Sequence, residues 1–121
     1  MRLEVKKRDR TLFAEFAGEI DLRETERIRQ EVGHYLTADR VDHLVFDFSG
    51  VGFIDSSGLG CILSCYRTMR ETGGRVSIVG ASPAVEKVLL FSGIPKIIPL
   101  YRDIAEFSKG SEQAQERSRV F

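Results

Sequence analysis

A chain of 121 residues with 42% hydrophobic and 30% charged side chains is long enough to bury one core and too short for two. Eighteen basic and eighteen acidic residues cancel, and no basic block supplies the electrostatic footprint of a nucleic-acid-binding protein, so direct binding to DNA or RNA is not expected. No apolar run approaches membrane-spanning length, and the alternating start Met1-Arg2-Leu3-Glu4-Val5-Lys6-Lys7 is unlike a signal peptide, which predicts a cytoplasmic protein with no membrane contact.

In chain order, the pattern predicts strands over Leu3 to Lys7 and Thr11 to Ala17, joined through Arg8-Asp9-Arg10. Asp21 then opens the apolar series Leu22, Ile28, Val32, Tyr35 and Leu36, a helix over about 22 to 38 for which Asp21 reads as an N-cap. Leu44-Val45-Phe46-Asp47-Phe48 reads as a buried strand, and Ser49-Gly50-Val51-Gly52 as a turn after it. Leu59, Ile62, Leu63, Tyr66 and Met69 recur at steps of three and four, a helix over about 57 to 72 that Gly73-Gly74 stops. A strand at Arg75 to Val79 follows. Ser82-Pro83 is a cap with proline at the first helical position, and that helix runs to Ser92-Gly93. Lys96 to Leu100 reads as a last short strand, followed by a helix. Strands alternating with helices argue for an α/β domain with a mainly parallel sheet, made mixed by the initial hairpin-like pair. That domain is expected to span residues 1–108; residues 109–121 turn polar and read as a frayed or disordered tail ending in Val120-Phe121, either a partner anchor or an incidental apolar end.

The informative junction is Phe53-Ile54-Asp55-Ser56-Ser57-Gly58-Leu59-Gly60, which places two hydroxyls where a strand gives way to a helix. Unpaired amides and the positive end of the helix dipole meet there and favour a negative group such as a phosphate. Three readings compete. One serine is simply a helix cap. Or a serine is a nucleophile, although the G-x-S-x-G spacing is absent and the two histidines, His34 and His43, are the only bases of that kind. Or a serine is modified by another enzyme, which needs exposure and tolerance of charge.

Other motifs carry less. Cys61 and Cys65 lie four apart on one helix face, but a metal would need two further ligands, and ordinary packing accounts for them. Gly50, Gly52, Gly58 and Gly60 match neither G-x-G-x-x-G nor a P-loop, so no nucleotide or other cofactor is expected.

Gly18-Glu19-Ile20-Asp21, Phe53 to Gly60, Ser82-Pro83-Ala84-Val85 and Ser92-Gly93-Ile94, in this order, resemble the anti-sigma factor antagonists of the STAS family, the sporulation antagonists of spore-forming Firmicutes above all. The resemblance covers roughly residues 1 to 108. It implies a fold of about five strands in a mixed, mainly parallel sheet, with about four helices packed mainly on one face. It also implies a binding module and not an enzyme. The unphosphorylated form would bind a partner that is both anti-sigma factor and serine kinase, using its own ATP or ADP, and so release the sigma factor. Phosphorylation by that kinase would reverse the effect, and a serine phosphatase would reset it. The resemblance places the phosphate on Ser56, with Ser57 its unmodified neighbour, and the partner contacts at Glu19, Asp21, Asp55, Ser56, Ser57, Gly58 and Leu59. The alternative is a STAS scaffold or general stress-response antagonist with a different kinase partner. The segment Arg23-Glu24 after Asp21 departs from the family pattern.

Overall fold

Leu12, Ala14 and Phe16 alternate with half-buried Thr11, Phe13 and Glu15 along one strand, so a single face of the sheet carries most of the apolar load. A computed structural model describes residues 1–38 and 40–110. Its five strands are β1 (Arg2–Arg8), β2 (Thr11–Ile20), β3 (His43–Ile54), β4 (Arg75–Val79) and β5 (Leu100–Tyr101). They lie side by side in sequence order, β1 antiparallel to β2 and the rest parallel. Helix α1 (Leu22–Ala38) joins β2 to β3, α2 (Ser56–Glu71) joins β3 to β4, and α3 (Pro83–Ser92) joins β4 to β5.

Each of these crossovers steps one strand in the same direction across the sheet. Crossovers of this kind share one hand, so all three helices are delivered to the same face. There Ile28 and Val32 of α1, Ile62 and Met69 of α2, and Val85 and Leu89 of α3 close over Leu12, Phe16, Phe46, Phe48 and Ile78. Phe16 stands 5.7 Å from Phe46 and 5.5 Å from Phe48, ring centre to ring centre. Cys61 and Cys65 are buried, free thiols in this layer, and the hydrogen bond between them, followed by burial, pushes Cys65 upward from the usual thiol range.

Residues 104–110 form a last helix, α4, which is not a crossover and lies on the opposite face. Asp103 caps it by accepting the Glu106 amide at 2.8 Å. Phe107 packs edge-on against Phe13, His43 and Tyr101, covering Val45 and Val79. The tail expected at 109–121 begins inside this helix, and its remainder, 111–121 with Val120 and Phe121, lies outside the described residues.

Two expectations fail. β3 runs through Ser49-Gly50-Val51-Gly52 to Ile54 instead of turning there. Its register with β2 shifts twice, and a Cβ at Gly50 would stand 2.9 Å from the Phe16 carbonyl oxygen, so that glycine serves a close strand approach. The stretch Lys96 to Leu100 is not a strand: Ile94–Lys96 make a 3₁₀ turn that buries Ile94, Ile98 is buried after it, and only Leu100 and Tyr101 pair with β4. Proline at 95 and 99 removes two ladder donors from this segment.

Candidate functional site

β2 and β3 end level with one another, Ile20 opposite Ile54, and the Asp55 amide donates to the Ile20 carbonyl at 3.3 Å. The two chains therefore leave the sheet together, at Asp21 and Asp55, and each aspartate opens a helix. This shared exit is what places Glu19, Asp21 and the Ser56 loop at one end of the molecule.

Asp55 has extended backbone angles, and its Oδ1 accepts the Gly58 amide at 3.1 Å, while its carbonyl accepts the Leu59 amide at 3.0 Å. The cap of α2 is thus the aspartate and neither serine, which removes the first of the three readings of the serines. Ser56 is the first helical residue and is exposed; Ser57 is half-buried. With Gly58 and Leu59 satisfied by Asp55, the Ser56 and Ser57 amides are left without backbone partners among the described residues. Those two donors and the helix dipole surround the place where a group on Ser56 would sit.

Gly58 lies beneath the surface. A Cβ there would meet Ile54 Cγ1 at 2.6 Å, Ile20 Cγ2 at 2.9 Å and the Ile20 carbonyl oxygen at 3.0 Å, so the glycine allows α2 to seat on the ends of β2 and β3. Leu59 is half-buried and packs against the core.

Asp21 is a cap as well, accepting the Arg23 amide at 3.0 Å. The Arg23 guanidinium folds back on the same carboxylate, with Nη2 2.7 Å from Oδ2, and this hydrogen bond holds Asp21 below the ordinary carboxylate range. Glu19 is exposed beside it. The departure at Arg23 therefore has a structural consequence: any group approaching Asp21 also meets a guanidinium.

Two residues at this end were not among the sequence candidates. Leu22 is 71% exposed and Phe53 48% exposed, although Leu22 reads from sequence as the first member of the buried stripe of α1. Phe53 pairs in register with exposed Glu19 and faces away from buried Ile54. Strand parity was the available signal for Phe53. Both present apolar surface at the end of the sheet from which the chain leaves at Asp21 and Asp55.

The other chemistry considered does not assemble here. Among the described residues no cluster of three metal-ligating side chains exists, and no helix is long and apolar enough to cross a membrane. His43 lies at the opposite end of β3 from Ser56.

Comparison with known proteins agrees with this geometry. The family model described as "STAS domain" matches residues 2–107. An anti-sigma F factor antagonist from Lysinibacillus sphaericus is 31% identical over 109 residues, 90% of this chain and 86% of that one. Another from Paenibacillus polymyxa is 29% identical over 101 residues, 84% of this chain and 86% of that one. The structure of the anti-sigma factor antagonist SpoIIAA in its unphosphorylated form superposes with a TM-score of 0.75 at 26% identity, covering 99% of this chain and 98% of that one. The phosphorylated form of Bacillus SpoIIAA gives 0.71 at 25% identity over 89% of this chain and 98% of that one. The chain belongs to the STAS domain family, in the company of its anti-sigma factor antagonists.

Proposed function

We propose that this protein is an anti-sigma factor antagonist whose binding is switched by phosphorylation of Ser56. The observation that carries the reading is the state of that serine: exposed, at the first position of α2, and relieved of capping duty by Asp55. The similarity to anti-sigma F factor antagonists, and to a SpoIIAA known in both phosphorylated and unphosphorylated forms, supplies the partner class. The unmodified form binds an anti-sigma factor that is also a serine kinase, with its own ATP or ADP, through Asp21, Glu19, Asp55, Ser57 and the exposed Leu22 and Phe53. Gly58 and Leu59 shape the loop from below. A serine phosphatase restores the modified form, and the protein works in the cytoplasm without catalysing a reaction itself.

A phosphate on Ser56 adds about 1.5 to 2 negative charges and three acceptor oxygens beside Asp55. The free amides of Ser56 and Ser57 accommodate it within the folded domain. In a complex the same dianion must be desolvated between Asp55 and the partner, at a loss of about 2–5 kcal/mol for an unpaired buried charge. That corresponds to tens to thousands of fold in affinity, enough for a switch.

The test is intact-mass spectrometry after incubation with ATP and a cognate anti-sigma kinase, wild type beside Ser56→Ala. One added phosphate that disappears in the variant supports the reading. No addition with several such kinases would leave a STAS scaffold that recruits a different partner.

A further inference from the structure

β5 pairs only with Ile78 and Val79, so the outer edge of Arg75–Ser77 in β4 has no strand beside it. A cavity of about 250 Å³ occupies that gap, at the end of the sheet opposite Ser56. Its inner wall is Arg75 to Ser77. Ile97, Pro99 and Tyr101 form the outer wall, and Tyr66 and Arg70 of α2 close the side. The volume lies just under the range of roughly 300–1,000 Å³ common for small-molecule sites.

The charge around this gap is one-sided. Arg70 and Arg75 both line it, no carboxylate does, and neither guanidinium makes an ion pair among the described residues. Other arginines of the described residues, Arg2, Arg8, Arg29 and Arg67, also lack an ion pair, so what marks this place is that two guanidiniums line one cavity that no carboxylate lines. The floor is polar and fixed. Ser77 is 1% exposed, and its hydroxyl lies 2.7 Å from His43 Nε2, with the His43 ring held edge-on by Phe107 at 5.0 Å. Burial, with Arg75 adding to it, lowers His43 to about 4, so the hydroxyl and imidazole form a neutral hydrogen-bonding floor. Apolar walls, a small fixed polar floor and two forked donors with no acid opposite them are the ingredients of an anion subsite for an organic molecule.

We infer that the gap beside β4 binds a small organic anion, its phosphate or carboxylate group held by Arg70 and Arg75 and its apolar part lying against Ile97 and Pro99. The site is separate from Ser56 and does not rest on the phosphorylation reading. α2 carries both, Ser56 at its first turn and Arg70 at its last.

The probe is phenyl phosphate, titrated into the full chain and followed through backbone amide and arginine Nε–H resonances. Saturable shifts confined to Arg70, Arg75–Ser77 and Ile97–Tyr101 are expected, with a Kd on the order of 1 mM for a molecule of that size. Benzoate should shift the same residues, inorganic phosphate alone should bind more weakly, and benzyl alcohol should not saturate. Arg70→Gln and Arg75→Gln, both at exposed positions, should each weaken phenyl phosphate about tenfold while leaving thermal unfolding unchanged. Arg67→Gln, on the same helix but off the cavity, should not. Shifts that stay linear, that scatter over the surface, or that persist undiminished in both cavity variants would overturn the site.

Discussion

The Gly58 amide donates to Asp55 Oδ1 at 3.1 Å, so the aspartate closes the first turn of α2 and, of the two serines between them, Ser56 is left exposed. Asp55→Ala removes the cap and should lower stability by about 1 kcal/mol, whereas Ser56→Ala and Ser57→Ala should stay within about 0.5 kcal/mol of wild type. Equilibrium urea unfolding of the three variants separates these values. A Ser56→Ala loss matching that of Asp55→Ala would return the serine to a structural role.

Two glycines only two residues apart in α2, and so on different faces of the helix, should respond in opposite directions to the same change. At Gly58 a methyl group runs into Ile54, Ile20 and the Ile20 carbonyl, whereas at Gly60 nothing lies within 4 Å. Gly60→Ala should gain about 0.5–1 kcal/mol from helix propensity. Gly58→Ala should lose about 1–3 kcal/mol net, because backbone and β-branched neighbours cannot yield. Thermal unfolding checks both.

Adding charge at Ser56 should reproduce part of the phosphate's effect. Ser56→Glu places a carboxylate beside Asp55 and should weaken binding to the kinase partner tenfold or more, with stability nearly unchanged because the α2 amino terminus favours negative charge. Calorimetric titration against the nucleotide-loaded partner measures it.

The apolar pair beside the loop should matter to docking and little to folding. Leu22→Ser and Phe53→Ser remove exposed side chains, so each should shift unfolding by less than about 1 kcal/mol while weakening the complex by about tenfold. Equal effects on both would mark them as packing residues.

His43 gives the domain a pH dependence of definite sign. Burial, with Arg75 adding to it, lowers the imidazole from 6.5 to about 4. The unfolded chain therefore binds more protons than the folded one between those values, and stability falls as pH drops through that window, by roughly 3 kcal/mol in total. His43→Asn should flatten this part of a stability–pH curve. Asp21, lowered from 3.8 by the Arg23 side-chain hydrogen bond, has the same sign at lower pH: its contribution is fully present above 3.8 and is lost as pH falls below that value and the carboxylate is protonated.

Periodicity made most of the fold legible. Helix α1 and strand β4 carry the bounds expected of them, because a 3.6-residue stripe and a short apolar run between glycines are local signals. Gly50 misled, since the same residue serves a turn or the close approach of a neighbouring strand, and only the position of Phe16 decides which. Leu22 misled in a similar way: at the head of α1 it belongs to the helical stripe by spacing but lies past the edge of the sheet that would bury it. At the site, the D-S-S-G run marked the serines, while the choice of Asp55 as cap depends on backbone angles that residue type alone does not distinguish. The gap beside β4 left no motif, because Arg70, Arg75 and Tyr101 come from three separate elements.

The packing of Gly58 onto Ile20 and Ile54 has a consequence for descent within the family. The spacing between the Asp21 and Ser56 loops is set by contacts in the interior, while the residues proposed to meet a partner, Glu19, Leu22, Phe53 and Ser56, together with Arg23, are on the outside and bear little on that spacing. Duplicated copies can thus exchange surface residues and acquire separate kinases without disturbing the frame that presents the serine, and insulation between parallel pathways in one cell becomes a matter of a few exposed side chains.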